Sequence, residues 1–157
     1  MRQRGAVIRV LIAADEQLIP HGFRRLLELA EDIRVVAEAA DGQQVLDAVA
    51  QFEIDVIVLD VRMPRMSGLR VLDAFRAREA HPACLVLTTF DDPELLLEVA
   101  RRGAEGFVSK DIALEELLAA IRAVAAGANW YQPTLTSSLR QAFDRRRNGA
   151  VSHLCLS

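Results

Sequence analysis

The sequence predicts an α/β fold, a doubly wound parallel sheet of five strands in the order 2-1-3-4-5 with helices on both faces. Strand-like apolar runs alternate with amphipathic helical patterns five times along the 157 residues, and the connections are short. The run 54–59 is rich in β-branched and apolar residues, as in a strand buried on both faces. A carboxylate, Asp60, follows that run directly, where it is costly unless it faces a cleft or a cation.

The strand order follows from differences among the five runs. We predict strands at 7–12, 33–37, 54–59, 83–88 and 105–109. The second and fifth runs carry more polar residues and suit the edges of the sheet, whereas the other three are more apolar and suit its centre. Crossovers between parallel strands are right-handed.

The helices have recognisable start and stop signals. We predict helices at 18–30, 42–52, 67–76, 93–101 and 114–126. Ser67 is a suitable N-cap, and Pro93 fits a first helical turn, where its missing N–H costs least. Gly103 and Gly127 follow the last residues of two helical patterns.

Composition excludes several classes of protein. A net charge of −3 argues against a general nucleic-acid coat, although it leaves a local basic patch open. Cys84 and Cys155 lack metal-ligand spacing, and Cys84 lies in an apolar run typical of a reduced core thiol. The sequence shows no signal peptide and no membrane span, so we expect a cytoplasmic protein without membrane contact.

Polar side chains follow four of the predicted strands and should meet at one edge of the sheet. Asp15 and Glu16 follow the first strand, Asp60 the third, Thr88 the fourth and Lys110 the fifth. Carboxylate oxygens suit Mg²⁺, which keeps open positions for phosphate oxygens. A lysine and a hydroxyl can neutralise and orient a transferring phosphoryl group, with Asp60 as the nucleophile that forms an acyl phosphate.

Three motifs carry a resemblance to a known family. They are Asp60-x-x-Met-Pro-x-x-x-Gly68, Leu87-Thr-Thr-Phe-Asp-Asp92 and Gly106-Phe-Val-Ser-Lys-Asp111. In combination they resemble the receiver domain of bacterial two-component response regulators, of the NarL/FixJ (LuxR-type) class, which has a flavodoxin-like fold. The resemblance covers about residues 6–127 and leaves 128–157 as a linker helix and tail.

The resemblance implies a phosphoacceptor and a metal site. Asp60 corresponds to the phosphoacceptor and is itself a ligand of the Mg²⁺ cofactor. Asp15 and the backbone carbonyl of Arg62 complete the direct protein ligands, with Glu16 as a further candidate. The phosphoryl donor implied is the phosphohistidine of a partner sensor histidine kinase.

The resemblance also implies a switch. Thr88 and Lys110 contact the phosphoryl group, and Phe107 is the aromatic residue that changes rotamer on activation. Residues 93–127 form the face expected to change and to support a homodimer. Such a domain is a signalling module, not an enzyme with an external product, although it catalyses its own phosphorylation and can slowly dephosphorylate itself.

One departure keeps an alternative open. The family usually has an acid at the position of Ala14, so we expect weaker Mg²⁺ binding and slower phosphorylation. A degenerate receiver that binds proteins without phosphorylation is the main alternative. A haloacid-dehalogenase-like phosphatase needs Asp-x-Asp after its first strand, which Asp15-Glu-Gln17 does not supply. A flavodoxin-like electron carrier needs a phosphate loop rich in glycine and hydroxyl groups there, and the sequence has none.

The segment after residue 127 predicts a short helix. Leu135, Leu139 and Phe143 recur every four residues and should share one face. In the NarL/FixJ class such a linker leads to a helix-turn-helix domain that binds DNA. Ten residues follow Arg147, too few for that domain, so we expect no DNA binding by the chain as given. If the parent protein carries a helix-turn-helix domain, we expect it to regulate transcription.

Overall fold

The computed structural model describes residues 6–14, 22–63, 65–88 and 92–156, with side chains of the last helix described as far as Arg147. The strands are β1 (Ile8–Ala13), β2 (Ile33–Ala39), β3 (Val56–Asp60), β4 (Ala83–Thr88), β5 (Gly106–Ser109) and β6 (Trp130–Tyr131). The helices are α1 (Phe23–Glu28), α2 (Gly42–Gln51), α3 (Gly68–Arg76), α4 (Pro93–Arg101), α5 (Leu114–Ala125) and α6 (Pro133–Leu156). The predicted first turns of α1 lie outside the described residues.

The strands form one parallel sheet of six strands in the order β2-β1-β3-β4-β5-β6. The α/β class, the parallel pairing and the order of the first five strands are confirmed. The predicted count of five strands is wrong, because β6 adds a sixth strand beyond β5. The fifth strand is therefore not an edge strand.

The sixth strand escaped prediction because it has only two residues and no periodic pattern. The Trp130 amide donates to the carbonyl of Glu105 at 3.1 Å, and the Gln132 amide donates to that of Phe107 at 3.1 Å. Gly106 permits this close pairing, since a Cβ there would lie 2.5 Å from the Trp130 carbonyl oxygen. β6 thus covers backbone groups of β5 that an edge strand would leave unpaired.

The sheet separates two apolar cores, as helices on both faces require. Side chains on β3 alternate between them: Ile57 and Leu59 face α2, α3 and α4, whereas Val56 and Val58 face α1 and α5. All four side chains are fully buried. β3 lies at the centre of the sheet, so its carboxyl end delivers Asp60 into a fixed frame.

The last helix packs against α4 through a face that includes Leu135 and Leu139, as predicted, but not Phe143. Leu135 and Ala142 are fully buried and Leu139 is half-buried, but Phe143 is 53% exposed. A strict spacing of four drifts around a helix of 3.6 residues per turn, so the buried face continues through Ala142 instead. Of the helices in the described part of the chain, none combines the length and apolar character needed to cross a membrane.

Candidate functional site

A buried carboxylate at the end of the central strand forms the centre of the candidate site. Asp60 is 1% exposed, and its Oδ2 lies 3.0 Å from the Lys110 ammonium nitrogen. Its Oδ1 accepts a hydrogen bond from the Arg62 backbone amide at 2.9 Å. A buried charge is stable only when paired and hydrogen-bonded, and these two contacts supply both. The structure therefore brings together Asp60 and Lys110, which the strand-end argument predicted as neighbours.

The neighbouring strand ends place a hydroxyl and an aromatic side chain in the same region of the sheet. Thr88 is 3% exposed at the end of β4, and its carbonyl accepts from the Lys110 amide at 2.9 Å. Phe107 is 2% exposed on β5, and its ring packs on Tyr131 of β6 with centroids 4.7 Å apart. Thr88 is thus tied to the residue that pairs with Asp60, whereas Phe107 lies within the apolar core.

The loop between β3 and α3 is fastened to the first turn of α2. Arg65 donates from Nε to Asp41 Oδ2 at 2.7 Å, and the Gly42 amide donates to the Met66 carbonyl at 2.8 Å. Asp41 is also the N-cap of α2, where its Oδ1 accepts from the Gln44 amide at 2.9 Å. This hydrogen bond, followed by the Arg65 contact, holds the pKa of Asp41 below its usual value.

The same loop contacts the first turn of α4 on its other side. Arg62 donates from Nη2 to Asp92 Oδ2 at 2.9 Å. Asp92 is the N-cap of α4, where its Oδ1 accepts from the Leu95 amide at 3.0 Å. Both partners of this ion pair are exposed, by 47% for Arg62 and 36% for Asp92.

The glycine of the first motif fixes the path of the loop beyond Asp60. A Cβ at Gly68 would lie 2.7 Å from the Cα of Val61, and the Gly68 amide donates to the Val61 carbonyl at 3.0 Å. Only a residue without a side chain permits this close return of the chain. The turn keeps the residues that follow Asp60 at the edge of the sheet.

The oxygen ligands at the site suit a hard divalent cation. The buried Asp60 Oδ2 accepts no hydrogen bond from the described residues, although the Lys110 ammonium is close to it. A carboxylate with spare lone pairs and a backbone carbonyl, here that of Arg62, are ligand types that Mg²⁺ prefers. Asp15 and Glu16, the other predicted ligands, lie outside the described residues. Among those described, no three His, Cys, Asp or Glu side chains cluster as a metal site.

The strand end next to these predicted ligands carries Ala14. Ala14 is 8% exposed, and its amide donates to the carbonyl of Ala39 at 2.9 Å. The backbone just after β1 is therefore held to the end of β2, and the methyl side chain of Ala14 contributes no oxygen to a cation.

Sequence reasoning missed four contacts around the site. They are the side-chain pairs Arg62–Asp92 and Arg65–Asp41, the Ser109 hydroxyl that donates to Asp111, and the Gln132 side chain that accepts from the Ser109 amide. The Asp41-x-x-Gln44 spacing is a capping signal, since Gln44 Oε1 in turn accepts a hydrogen bond from the Ala40 amide, just before the N-cap. No local pattern indicated the arginine partners.

Comparison with known proteins gives consistent similarities. A family model described as the response regulator receiver domain matches residues 10–122. The chain is 40% identical over 120 residues to the "Uncharacterized transcriptional regulatory protein YxjL" of Bacillus subtilis, covering 76% of this chain and 55% of that protein. It is 36% identical over 142 residues to the "Oxygen regulatory protein NreC" of Staphylococcus aureus, covering 90% of this chain and 65% of that protein.

A solved structure shares the architecture. It is described as a two-component response regulator of the LuxR family from Aurantimonas sp., and it superposes with a TM-score of 0.77 at 26% identity. The similarity covers 87% of this chain and 97% of that one. Against the two curated relatives, this chain spans less than two thirds of their length.

Proposed function

This chain belongs to the response regulator receiver domain family, and on that premise we propose that it accepts a phosphoryl group on Asp60 from the phosphohistidine of a sensor histidine kinase. The observation that carries the proposal is the buried Asp60 carboxylate, held by the Lys110 ammonium at 3.0 Å and by the Arg62 amide at 2.9 Å. This family is one of signalling domains, and the similar solved structure from Aurantimonas sp. is described as a LuxR-family regulator.

The proposed reaction moves one phosphoryl group between two side chains. An Asp60 carboxylate oxygen attacks phosphorus, the new P–O bond forms as the P–N bond of the phosphohistidine breaks, and the imidazole leaves. Lys110 offsets the negative charge that the transferring group brings to the buried site. Thr88, at the adjacent strand end, offers a hydroxyl to a phosphoryl oxygen.

We assign the metal site to the same strand ends. Asp60, the carbonyl of Arg62 and Asp15 would hold Mg²⁺, with Glu16 as a further candidate. The ion, when bound, neutralises phosphoryl oxygens during transfer. Ala14 supplies no carboxylate to this set, so Mg²⁺ binding should be weaker than in an Ala14→Asp variant.

The output proposal is a switch in residues 93–127 that favours a homodimer. Thr88 and Lys110 would move toward the phosphoryl group and carry the connections before α4 and α5 with them. Part of this surface is already covered in the monomer and is less available for a dimer contact. Helix α6 lies on α4, and Arg146 of α6 pairs with Glu94 at 2.8 Å and with Glu98 at 3.1 Å. The exposed side of α5, which includes Glu115 and Glu116, remains open for contact with a second copy. Light scattering tests this dimerisation by measuring the molar mass of the wild type and of Asp60→Asn, each with and without phosphodonor. Identical molar masses in all four samples would count against the proposed switch.

A degenerate receiver is the second candidate function, and Ala14 is the observation that favours it. In that reading the domain binds a partner protein without phosphorylation, and the Asp60–Lys110 pair has a structural role. Control of transcription remains a proposal for a longer parent protein, since the curated relatives extend beyond this chain.

Phosphorylation by a small phosphodonor distinguishes the two candidates. The purified protein is incubated with acetyl phosphate and Mg²⁺ and its intact mass is measured, beside Asp60→Asn. We expect the mass of one phosphoryl group on the wild type alone, with faster labelling in Ala14→Asp. A wild type that stays unmodified with acetyl phosphate and with any sensor kinase presented to it would favour the degenerate receiver.

A further inference from the structure

We infer that Arg62 is a positioning residue that exchanges one anionic partner for another: Asp92 at the N-cap of α4 before phosphorylation, and the phosphoryl group on Asp60 after it. The inference rests on the proposed function and adds a route from the acceptor to α4. It also assigns a role to a side chain that the sequence motifs left unassigned.

Arg62 lies between the phosphoacceptor and α4. Its backbone amide donates to Asp60 Oδ1, so its main chain is fixed at the acceptor. Its guanidinium extends to Asp92 Oδ2 at 2.9 Å. One residue therefore joins the phosphoacceptor to the first turn of α4.

The contact between Arg62 and Asp92 can be released easily. Both side chains are substantially exposed, and water and salt weaken such ion pairs. Asp92 also keeps its hydrogen bond with the Leu95 amide when Arg62 leaves, because the two contacts use different oxygens. Release of Arg62 therefore removes a contact from the first turn of α4 without removing the N-cap of that helix.

Phosphorylation of Asp60 adds negative charge next to Arg62. A phosphoryl group brings three acceptor oxygens and more negative charge than the carboxylate it modifies. Lys110 is the one cationic side chain that the described residues place in contact with Asp60. The guanidinium contacts the exposed Asp92 carboxylate through one hydrogen bond, from Nη2 to Oδ2, whereas a more highly charged phosphoryl group can accept two parallel hydrogen bonds, so the new group competes well against Asp92.

The consequence reaches the last helix. Glu94, two residues after Asp92, and Glu98 on the next turn of α4 hold Arg146 of α6. A change in the first turn of α4 therefore bears directly on the contact between α4 and α6. A shift of the Arg62 guanidinium would link the acceptor to the C-terminal helix through three ion-paired contacts.

The test examines each of the two partners separately. In the unphosphorylated protein, a double-mutant cycle with Arg62→Ala and Asp92→Asn measures their coupling by urea unfolding. Asp92→Asn is the suitable variant because asparagine still caps a helix. We expect a coupling of about two- to fivefold in the unfolding equilibrium constant, the range of an exposed ion pair.

In the phosphorylated protein, the ³¹P resonance of the aspartyl phosphate reports contact with the guanidinium. We expect Arg62→Ala to shift this resonance and Arg62→Lys to shift it less, whereas Arg70→Ala at an exposed position of α3 should leave it unchanged. Absence of coupling, or equal resonances in Arg62→Ala and Arg70→Ala, would overturn the inference while phosphorylation itself stands. A wild type without an adduct in the mass measurement would overturn the proposed function and this inference together.

Discussion

The two sides of the loop that follows Asp60 are fastened in different ways. On the α2 side, Arg65 is 71% exposed, but the Asp41 side chain that it contacts is 5% exposed, and a backbone hydrogen bond from Gly42 to Met66 reinforces the contact. On the α4 side, the Arg62–Asp92 pair is exposed at both ends. Each aspartate caps the helix it belongs to, so the chemistry is the same and the burial differs. Such a loop is held on one side and free to respond on the other.

The difference between the two sides explains why phosphorylation of Asp60 should alter the structure on the α4 side more than on the α2 side. If both sides were held weakly, added charge at Asp60 would loosen the loop as a whole. If both were held strongly, the change would stay at the acceptor. A firm α2 side and a weak α4 side direct the response toward α4 and the helix α6 that packs on it.

The largest expected effect comes from breaking the firm side. Gly42→Ala places a Cβ 2.6 Å from Met66 Cγ and 2.8 Å from the Met66 carbonyl, so the loop or α2 has to shift. We expect the free energy of unfolding to fall by about 1–3 kcal/mol, measured by urea denaturation. Gln43→Ala, at the next and exposed position of α2, is the control and should change it by less than about 0.5 kcal/mol. Equal effects of the two variants would show that the close approach is not tight.

The pH dependence of stability gives a sharper view of the firm side. The pKa of Asp41 is lowered in the folded protein, mainly by the hydrogen bond from the Gln44 amide and then by Arg65. A carboxyl group with a lowered folded-state pKa contributes stability above its usual value of 3.8, and this is lost as the pH falls through the lowered pKa.

Asp41→Asn should therefore lose less stability than the wild type on acidification from about pH 5 to pH 2. The loss of stability in Arg65→Ala should lie between those of the wild type and Asp41→Asn, because this variant keeps the hydrogen bond from the Gln44 amide, which lowers the pKa of Asp41 most. Urea denaturation at several pH values measures the difference. If Asp41→Asn lost as much stability on acidification as the wild type, Asp41 would not be a source of the acid sensitivity.

The smallest effect is expected on the weak side. Arg62→Ala should lower the free energy of unfolding by less than about 1 kcal/mol, because the ion pair that it removes is exposed. The effect should vanish near 1 M salt, where the screening length is about 3 Å. Arg65→Ala, measured in the same salt series, should keep more of its effect because Asp41 is buried. A larger or salt-independent effect at Arg62 would remove the difference between the two sides.

Much of the fold and the centre of the site could be predicted because both follow from local patterns. The apolar run of β3 predicted a central strand, and parallel pairing then placed the ends of neighbouring strands at one edge. Asp60 and Lys110 are 50 positions apart in sequence and still could be predicted as neighbours, since the sheet order alone joins them.

The missed features depend on tertiary contacts instead. β6 has two residues and becomes a strand through pairing with β5. Phe143 is exposed because the contact with α4 selects the helical face through Ala142. The partners of Arg62 and Arg65 lie 30 and 24 positions away on other elements, and long charged side chains have no periodic pattern that would indicate them.

Hydrogen exchange in the wild type tests the difference between the two sides most directly. The amides of residues 42–46 in α2 and 94–97 in α4, which follow Pro93, are monitored by mass spectrometry with and without phosphorylation of Asp60. We expect exchange at 94–97 to rise by about two- to fivefold, in line with release of an exposed ion pair, while 42–46 stays unchanged. Equal changes at both helices, or a change at α2 alone, would contradict the account.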